Sequence, residues 1–369
     1  VVQLVPPMDV FNALKRAGRT SEACRFLADI VPVPAEVDAS REVMLWVTAH
    51  DHPPPNKKDV RTVAKALHIP LDVPGMCMAL LGHGRLATCL AFAKGDYDAE
   101  DTIMHTLTRW AADGATVQPL PRNACVWAED MLTMAQVAWD RDSLPTTCLP
   151  SSVRVHFVEH GSVVDSALEV LGAAEVVGVD REAAPTLVKG EHNKSALLQV
   201  ATSDFVFLFD LLSLDENSIR KLSDFFSSSA TIKLGIGLPG DLIELRATFS
   251  APSAQDLFAS GKNFIELSEL LGYLVPGLCT PLSLVKVVAF CTKTKLDKRC
   301  QCSDWAQRPL RSDQVQYASL DAHVLVACFR HILSRITHVE PTFDYHQFCF
   351  DFDVVRRVRS HEAPGRGCG

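Results

Sequence analysis

Residues 176–185 read VVGVDREAAP. An apolar run leads into Asp180, and Glu182 follows two places on. In an extended chain that spacing turns both carboxylates to one side, about 6–7 Å apart. The run itself has the composition of a buried strand, so the two acids stand at the rim of a core. Carboxylates placed side by side there repel each other and do not both ionise cheaply without a cation. Taken alone, Asp-x-Glu is a common pair, and its meaning depends on what surrounds it.

The surroundings predict a mixed α/β sheet. Strand-like runs cover 153–158, 175–180, 195–201, 205–210 and 231–234, and helical spacing covers 163–171, 217–226, 241–249, 264–271, 281–290 and 311–332. The turn ATSD between the third and fourth runs is short enough for a hairpin, which makes those strands antiparallel. Before about residue 147 the rhythm is purely helical, over 9–30, 40–48, 58–67, 74–92, 99–113 and 122–140. Helix pairs joined by short turns there predict a small bundle or the end of a helical-repeat array. The organisation expected is an all-α domain at 1–150, an α/β domain at 151–340 and a C-terminal extension at 341–369 with a flexible tail.

Composition narrows the class. With 47% hydrophobic and 22% charged residues the chain is globular, and no apolar run is long enough to span a membrane. The N-terminus lacks a secretory signal pattern, so an intracellular place, cytoplasmic or nuclear, is expected. The chain starts without Met, as a fragment would. Its twelve cysteines are scattered, as buried thiols of a reducing compartment are, and Cys300-Gln301-Cys302 has no partner pair at zinc-ligand spacing. The net charge is −8, yet residues 281–311 hold seven basic groups against two acidic ones. Such a stretch suits a phosphate backbone.

The stretch KLGIGLPGDL (233–242) contains G-x-G-x-x-G, the fingerprint of dinucleotide-binding proteins. That fingerprint belongs to the first strand of a βαβ unit. Here three strands precede it, two of them antiparallel. A tight turn serving the helix that begins near Asp241 is the better reading, with Asp241 a third unusual carboxylate or a helix cap. The fourth acid lies in QVQYASLDAHVLV (314–326), where Tyr317 and Asp321 are four apart on one helical face with apolar flanks. An aspartate on the buried side of a helix needs a partner. His323, two places on, points away from that face and is read as core or surface.

In order and interval, Asp180-x-Glu182, Asp241 and Tyr317-x-x-x-Asp321 resemble the DnaQ-like, RNase H-like exonucleases, in the DEDDy branch with tyrosine in the third motif. The wording of VGVDREAAP, SALLQVATSDFVFLFDL, KLGIGLPGDL and LDKRCQCSDWAQRPLRSDQVQYASLDAHVL is similar to the Mut-7/Nibbler group of 3′–5′ exoribonucleases, over 153–333. The resemblance implies an RNase H-like mixed sheet flanked by helices and a metal-dependent 3′–5′ exonuclease acting on single-stranded RNA. It gives Asp180, Glu182 and Asp321 to a first metal, Asp180 and, through water, Asp241 to a second, and Tyr317 to the attacking water.

Carboxylate ligands select Mg²⁺ or Mn²⁺, and two such ions about 4 Å apart would promote hydrolysis with release of nucleoside 5′-monophosphates. Lys295, Lys298, Arg299 and Arg308 are the candidates for contact with the nucleic-acid backbone. Trp305 is a packing residue before it is a base-stacking one. Ala183-Ala184 stands where relatives often have an aromatic and a basic residue, which removes no ligand but weakens the packing expected beside the terminal nucleotide. The helical half is expected to recruit a protein or small-RNA partner, as in that group. The ending RRVRSHEAPGRGCG (356–369) reads as a tail in place of the further C-terminal domain that relatives can carry. Two other functions remain: a catalytically inactive binding or scaffold module, which would have no use for the acidic set, and an exonuclease acting on DNA, which the same set serves.

Overall fold

The computed structural model describes residues 7–17, 19–30, 37–48, 55–83, 85–113, 127–139, 144–183, 194–249, 256–275, 278 and 281–353. The tail after 353 and Ala184 lie outside the described residues. The chain divides into two compact units, Val1–Ser143 with Gly272–Cys279, and Leu144–Leu271 with Thr280–Gly369.

Among its described residues the first unit contains α1 (Pro7–Arg16), α2 (Thr20–Ala28), α3 (Ala39–Thr48), α4 (Lys57–Ala66), α5 (Val73–Gly82), α6 (Leu86–Ala93), α7 (Tyr97–Asp113) and α8 (Ala128–Trp139). The helical runs expected at 9–30 and 74–92 each break into two helices. Local chemistry fixes some of the starts: Asn56 accepts from the Asp59 amide to cap α4, and Asp72 from the Gly75 amide to cap α5. Apolar residues at helical spacing give a core with Trp46, Phe92 and Trp127 fully buried.

The second unit is built on β1 (Arg154–Val158), β2 (Val176–Ala183), β3 (Ser195–Ala201), β4 (Phe205–Asp210), β5 (Ile232–Gly235), β6 (Ser260–Glu266) and β7 (Phe350–Asp353). They form one sheet in the order β1-β4-β3-β2-β5-β6-β7. The β3–β4 hairpin is antiparallel, as is β3 with β2, whereas β1–β4, β2–β5 and β5–β6 are parallel. The helices are α9 (Gly161–Gly172), α10 (Glu216–Ser227), α11 (Leu238–Thr248), α12 (Leu267–Leu274, whose last three residues fall in the first unit), α13 (Leu284–Thr292) and α14 (Ser312–Val339). This is the RNase H-like mixed sheet flanked by helices.

Alternation along the strands divides the core. Val177, Val179, Leu198, Val200, Phe207 and Phe209 face α9, α10 and α11. Leu197, Ala201, Val206 and Leu208 face the other way, toward Ala318 and Ala322 of α14. The register pairs Asp180 with Gln199 and Glu182 with Leu197, so both acids of β2 lie on the α14 side. Strand β6 replaces the start of the helix expected at 264–271, which begins instead at Leu267. β7 was not expected. Among the described residues no helix is long and apolar enough to cross a membrane.

Candidate metal centre and active site

Asp180 and Glu182 are carried by β2, and Asp321 by α14 above it. One carboxylate oxygen from each can be chosen so that all lie within 4.8 Å of one another. Glu182 is 8% and Asp321 2% exposed. Backbone contact sets this spacing. Gly178 lies on β2 directly under α14, and a Cβ there would meet the carbonyl oxygen of Ala322 at 2.1 Å. Only glycine lets strand and helix approach so closely.

Crowding three acids in a low-dielectric place raises their proton affinity. Burial, then the charges of Asp321 and Asp241, push Asp180 up to about 8. Burial and Asp180 push Glu182 up to about 9. Asp321 is also raised by burial, with the Lys298 ammonium acting against that shift. Lys298 Nζ lies 2.7 Å from Asp321 Oδ2 and 3.0 Å from the Tyr317 hydroxyl. The chain thus brings one of its own cations to the acids. Tyr317 is 7% exposed and packs against Trp305, ring centroids 5.8 Å apart. Burial holds its phenol well above the ordinary range. A clustered set of hard oxygen donors, short of positive charge, fits a divalent cation of the Mg²⁺ or Mn²⁺ type.

Asp241 is held outside this cluster. It sits in the first turn of α11, three places after the helix starts at Leu238, so it does not begin or cap the helix. Its Oδ1 accepts from Arg181 Nε at 3.3 Å. Burial raises it to about 6, with Arg181 opposing. Arg181 lies between the two acids of β2 and by alternation turns to the opposite side of the sheet. Its place between two metal-ligand candidates disguised that part in the sequence.

The glycine turn before α11 has an occupant. Gly237 caps the helix with φ +83°, a left-handed backbone that favours glycine. Its N–H donates to the Glu266 carboxylate at 2.8 and 2.9 Å, and the Leu238 N–H donates to the same group at 3.3 Å. A helix N-terminus binds anions, and here the anion is the chain's own side chain from the end of β6. The dinucleotide reading therefore has no place for its pyrophosphate.

The basic candidates separate. Arg308 directs all five of its N–H groups inward: Nε and Nη2 to Asp210 at 2.8 and 2.6 Å, Nη2 also to Ala196 O, and Nη1 to Trp305 O and Gln307 O. Burial works against Asp210, but these bonds hold its carboxyl below the usual range. That corrects the expectation of Arg308 as a phosphate binder, since no donor is left to give. Arg299 is 89% exposed and pairs with Asp297 at 2.8 Å. Lys295 joins the segment before β1 through its backbone, donating to Pro145 O and accepting from Thr147 N. His323 Nε2 meets Ser203 O at 3.2 Å, buried away from the acids. Trp305 is 1% exposed, hence a packing residue. A cleft of about 810 Å³ opens beside Tyr317, lined in part by Leu149, Arg299, Arg311 and Leu320.

A family model described as 3′–5′ exonuclease matches residues 155–337. Those residues are a 3′–5′ exonuclease domain. The exonuclease domain is of the DnaQ-like, RNase H-like kind and related to Mut-7/Nibbler proteins. The exonuclease mut-7 homolog of Aedes aegypti is 28% identical over 220 residues, which cover 55% of this chain and 30% of that protein. The Homo sapiens exonuclease mut-7 homolog is 29% identical over 211 residues, 53% of this chain and 23% of that one. The chain thus matches less than a third of the length of these relatives. Among solved structures, the Aedes aegypti Nibbler EXO domain superposes with a TM-score of 0.47 at 24% identity, covering 58% of this chain and 98% of that one.

Proposed function

We propose that this protein is a metal-dependent 3′–5′ exonuclease that shortens single-stranded RNA from its 3′ end. The observation that carries the reading is the Asp180–Glu182–Asp321 cluster, set within an exonuclease domain. RNA is the substrate that the likeness to the Mut-7/Nibbler exoribonucleases implies.

Asp180, Glu182 and Asp321 would hold a first divalent ion. Asp180 and, through water, Asp241 would hold a second. Bound there, such ions make water a nucleophile and stabilise the departing 3′ oxygen. Tyr317 orients the attacking water at the terminal phosphodiester, and the P–O3′ bond breaks to free a nucleoside 5′-monophosphate. Lys298 reaches the same phosphate from the position it holds beside Tyr317 and Asp321. Arg299 and Lys295 serve the backbone of the preceding nucleotides. The helical unit would recruit a protein or small-RNA partner, and the enzyme would work in the cytoplasm or the nucleus.

The test is degradation of 5′-labelled single-stranded RNA and matched DNA in Mg²⁺ or Mn²⁺, beside EDTA and Asp180→Asn controls. A ladder shortening from the 3′ end of RNA and absent from both controls is expected. Preference for the DNA strand would move the substrate. No shortening of either strand by folded protein would leave a binding module in place of an enzyme.

A further inference from the structure

Gln199 stands in the middle of β3 with no exposure to solvent. Among the described residues neither its Nε2 nor its Oε1 has a hydrogen-bond partner. Apart from the residue opposite it on β2, its neighbours on that face are apolar: Leu197 and Ala201 along the strand, Leu208 across from it on β4, and Ala318 and Ala322 from α14. A buried amide left unbonded destabilises the fold, whereas an apolar side chain of the same shape would not. Nothing in the packing calls for glutamine here.

The register shows what it faces. Gln199 is the direct cross-strand partner of Asp180, and opposite residues of an antiparallel pair have Cβ atoms about 4.5–5.5 Å apart on the same face. An amide N–H₂ donates and an ionised carboxylate accepts. An Asp180 carboxylate held as a metal ligand would offer that buried amide an acceptor across the strand pair.

We propose that Gln199 is a positioning residue for the metal centre: its Nε2 donates to the Asp180 carboxylate in the metal-loaded site and fixes which oxygen Asp180 turns toward the ion. The inference rests on the metal-dependent reading of the site. Groups that orient a ligand in this way typically change metal affinity by about 10–100-fold when removed.

The test is Gln199→Met, which keeps length and volume and removes the amide, with Gln199→Leu as the second variant should the first not fold. Calorimetric titration of Mn²⁺ into the full chain without RNA gives the dissociation constant, and thermal unfolding in EDTA gives the stability of the metal-free form. The expected result is a Mn²⁺ dissociation constant raised about 10–100-fold with an EDTA melting temperature unchanged or higher. Trimming by the variant should then recover at saturating Mn²⁺. A Mn²⁺ affinity within about twofold of the unaltered protein overturns the proposal and leaves the metal site standing. A melting temperature that falls in EDTA with affinity unchanged overturns it too and makes the amide structural. Failure of the unaltered chain itself to bind Mn²⁺ would overturn the site reading, and this one with it.

Discussion

Lys298 Nζ lies 2.7 Å from Asp321 Oδ2, on a side chain 26% exposed beside one 3% exposed. A flexible ammonium is thus paired with an acid that a divalent ion would also claim. Replacing Lys298 by Met should have two opposite effects. Metal-free stability should fall by about 1.5–3 kcal/mol, the usual worth of a hydrogen bond to a charged group. Mn²⁺ should bind several-fold more tightly, because a competing positive charge has gone. Trimming should nonetheless slow about tenfold or more, through loss of the phosphate contact. Unfolding curves with and without metal, beside initial rates, check all three.

The raised carboxyls give the metal-free protein a pH profile of known sign. Asp180 and Glu182 titrate at about 8 and about 9 when folded, but near 4 when unfolded. Over that interval the folded chain holds protons that the unfolded chain has lost. Their contribution is therefore fully present below about pH 4 and is lost as pH rises through about 8 to 9. Divalent cations bind the ionised form, so the protection they give should grow with pH. At a hundred times its dissociation constant, Mg²⁺ adds about 2.7 kcal/mol, or about 5–10 °C in Tm for a unit of this size. Thermal scans at pH 6 and pH 8.5, in EDTA and in Mg²⁺, should show the larger gap at the higher pH.

Arg308 and Arg299 should part company. Arg308→Ala strands Asp210, whose side chain is 3% exposed, and should cost about 3–5 kcal/mol of stability. Arg299→Ala should leave the melting temperature alone, weaken binding of single-stranded RNA and reduce its salt dependence by about one contact. Filter binding at several salt concentrations, beside unfolding curves, separates the two.

Glu266→Ala removes the acceptor of two N–H groups at the start of α11. The loss of that cap should be worth about 1–2 kcal/mol. Because Asp241 stands in the same first turn, the concentration of Mn²⁺ needed for half-maximal trimming should rise as well. Glu266→Gln keeps an acceptor oxygen and should restore most of the stability.

The parts that were legible in the sequence are those where pattern and chemistry agree locally. β3 and β4 occupy the runs expected, because apolar strand residues and a short turn leave little choice. The Tyr317–Asp321 spacing places both on one helix for the same reason. β6 escaped notice because Gly261, Lys262 and Asn263 interrupt its pattern, Asn263 at φ +60° and the register slipping between Gly261 and Phe264. Its last residues then read as the start of the helix that follows. Arg308 and Lys298 are alike as letters. What divides them is Asp210, 98 positions away from Arg308, and no local pattern reports that. Asp241 was recognisable as unusual, but its pairing with Arg181 depends on which side of the sheet each one faces.

The close approach of Gly178 to the Ala322 carbonyl has a consequence for how this centre tolerates change. Most helices ride on side chains, and swapping leucine for phenylalanine beneath them shifts the helix. Here, beneath Ala322, main chain rests on main chain, so at this point the gap between Asp180 and Asp321 is set by backbone contact and not by the size of a side chain. A single methyl group at position 178 would act as a wedge under α14 and separate the ligands while leaving every one of them in place.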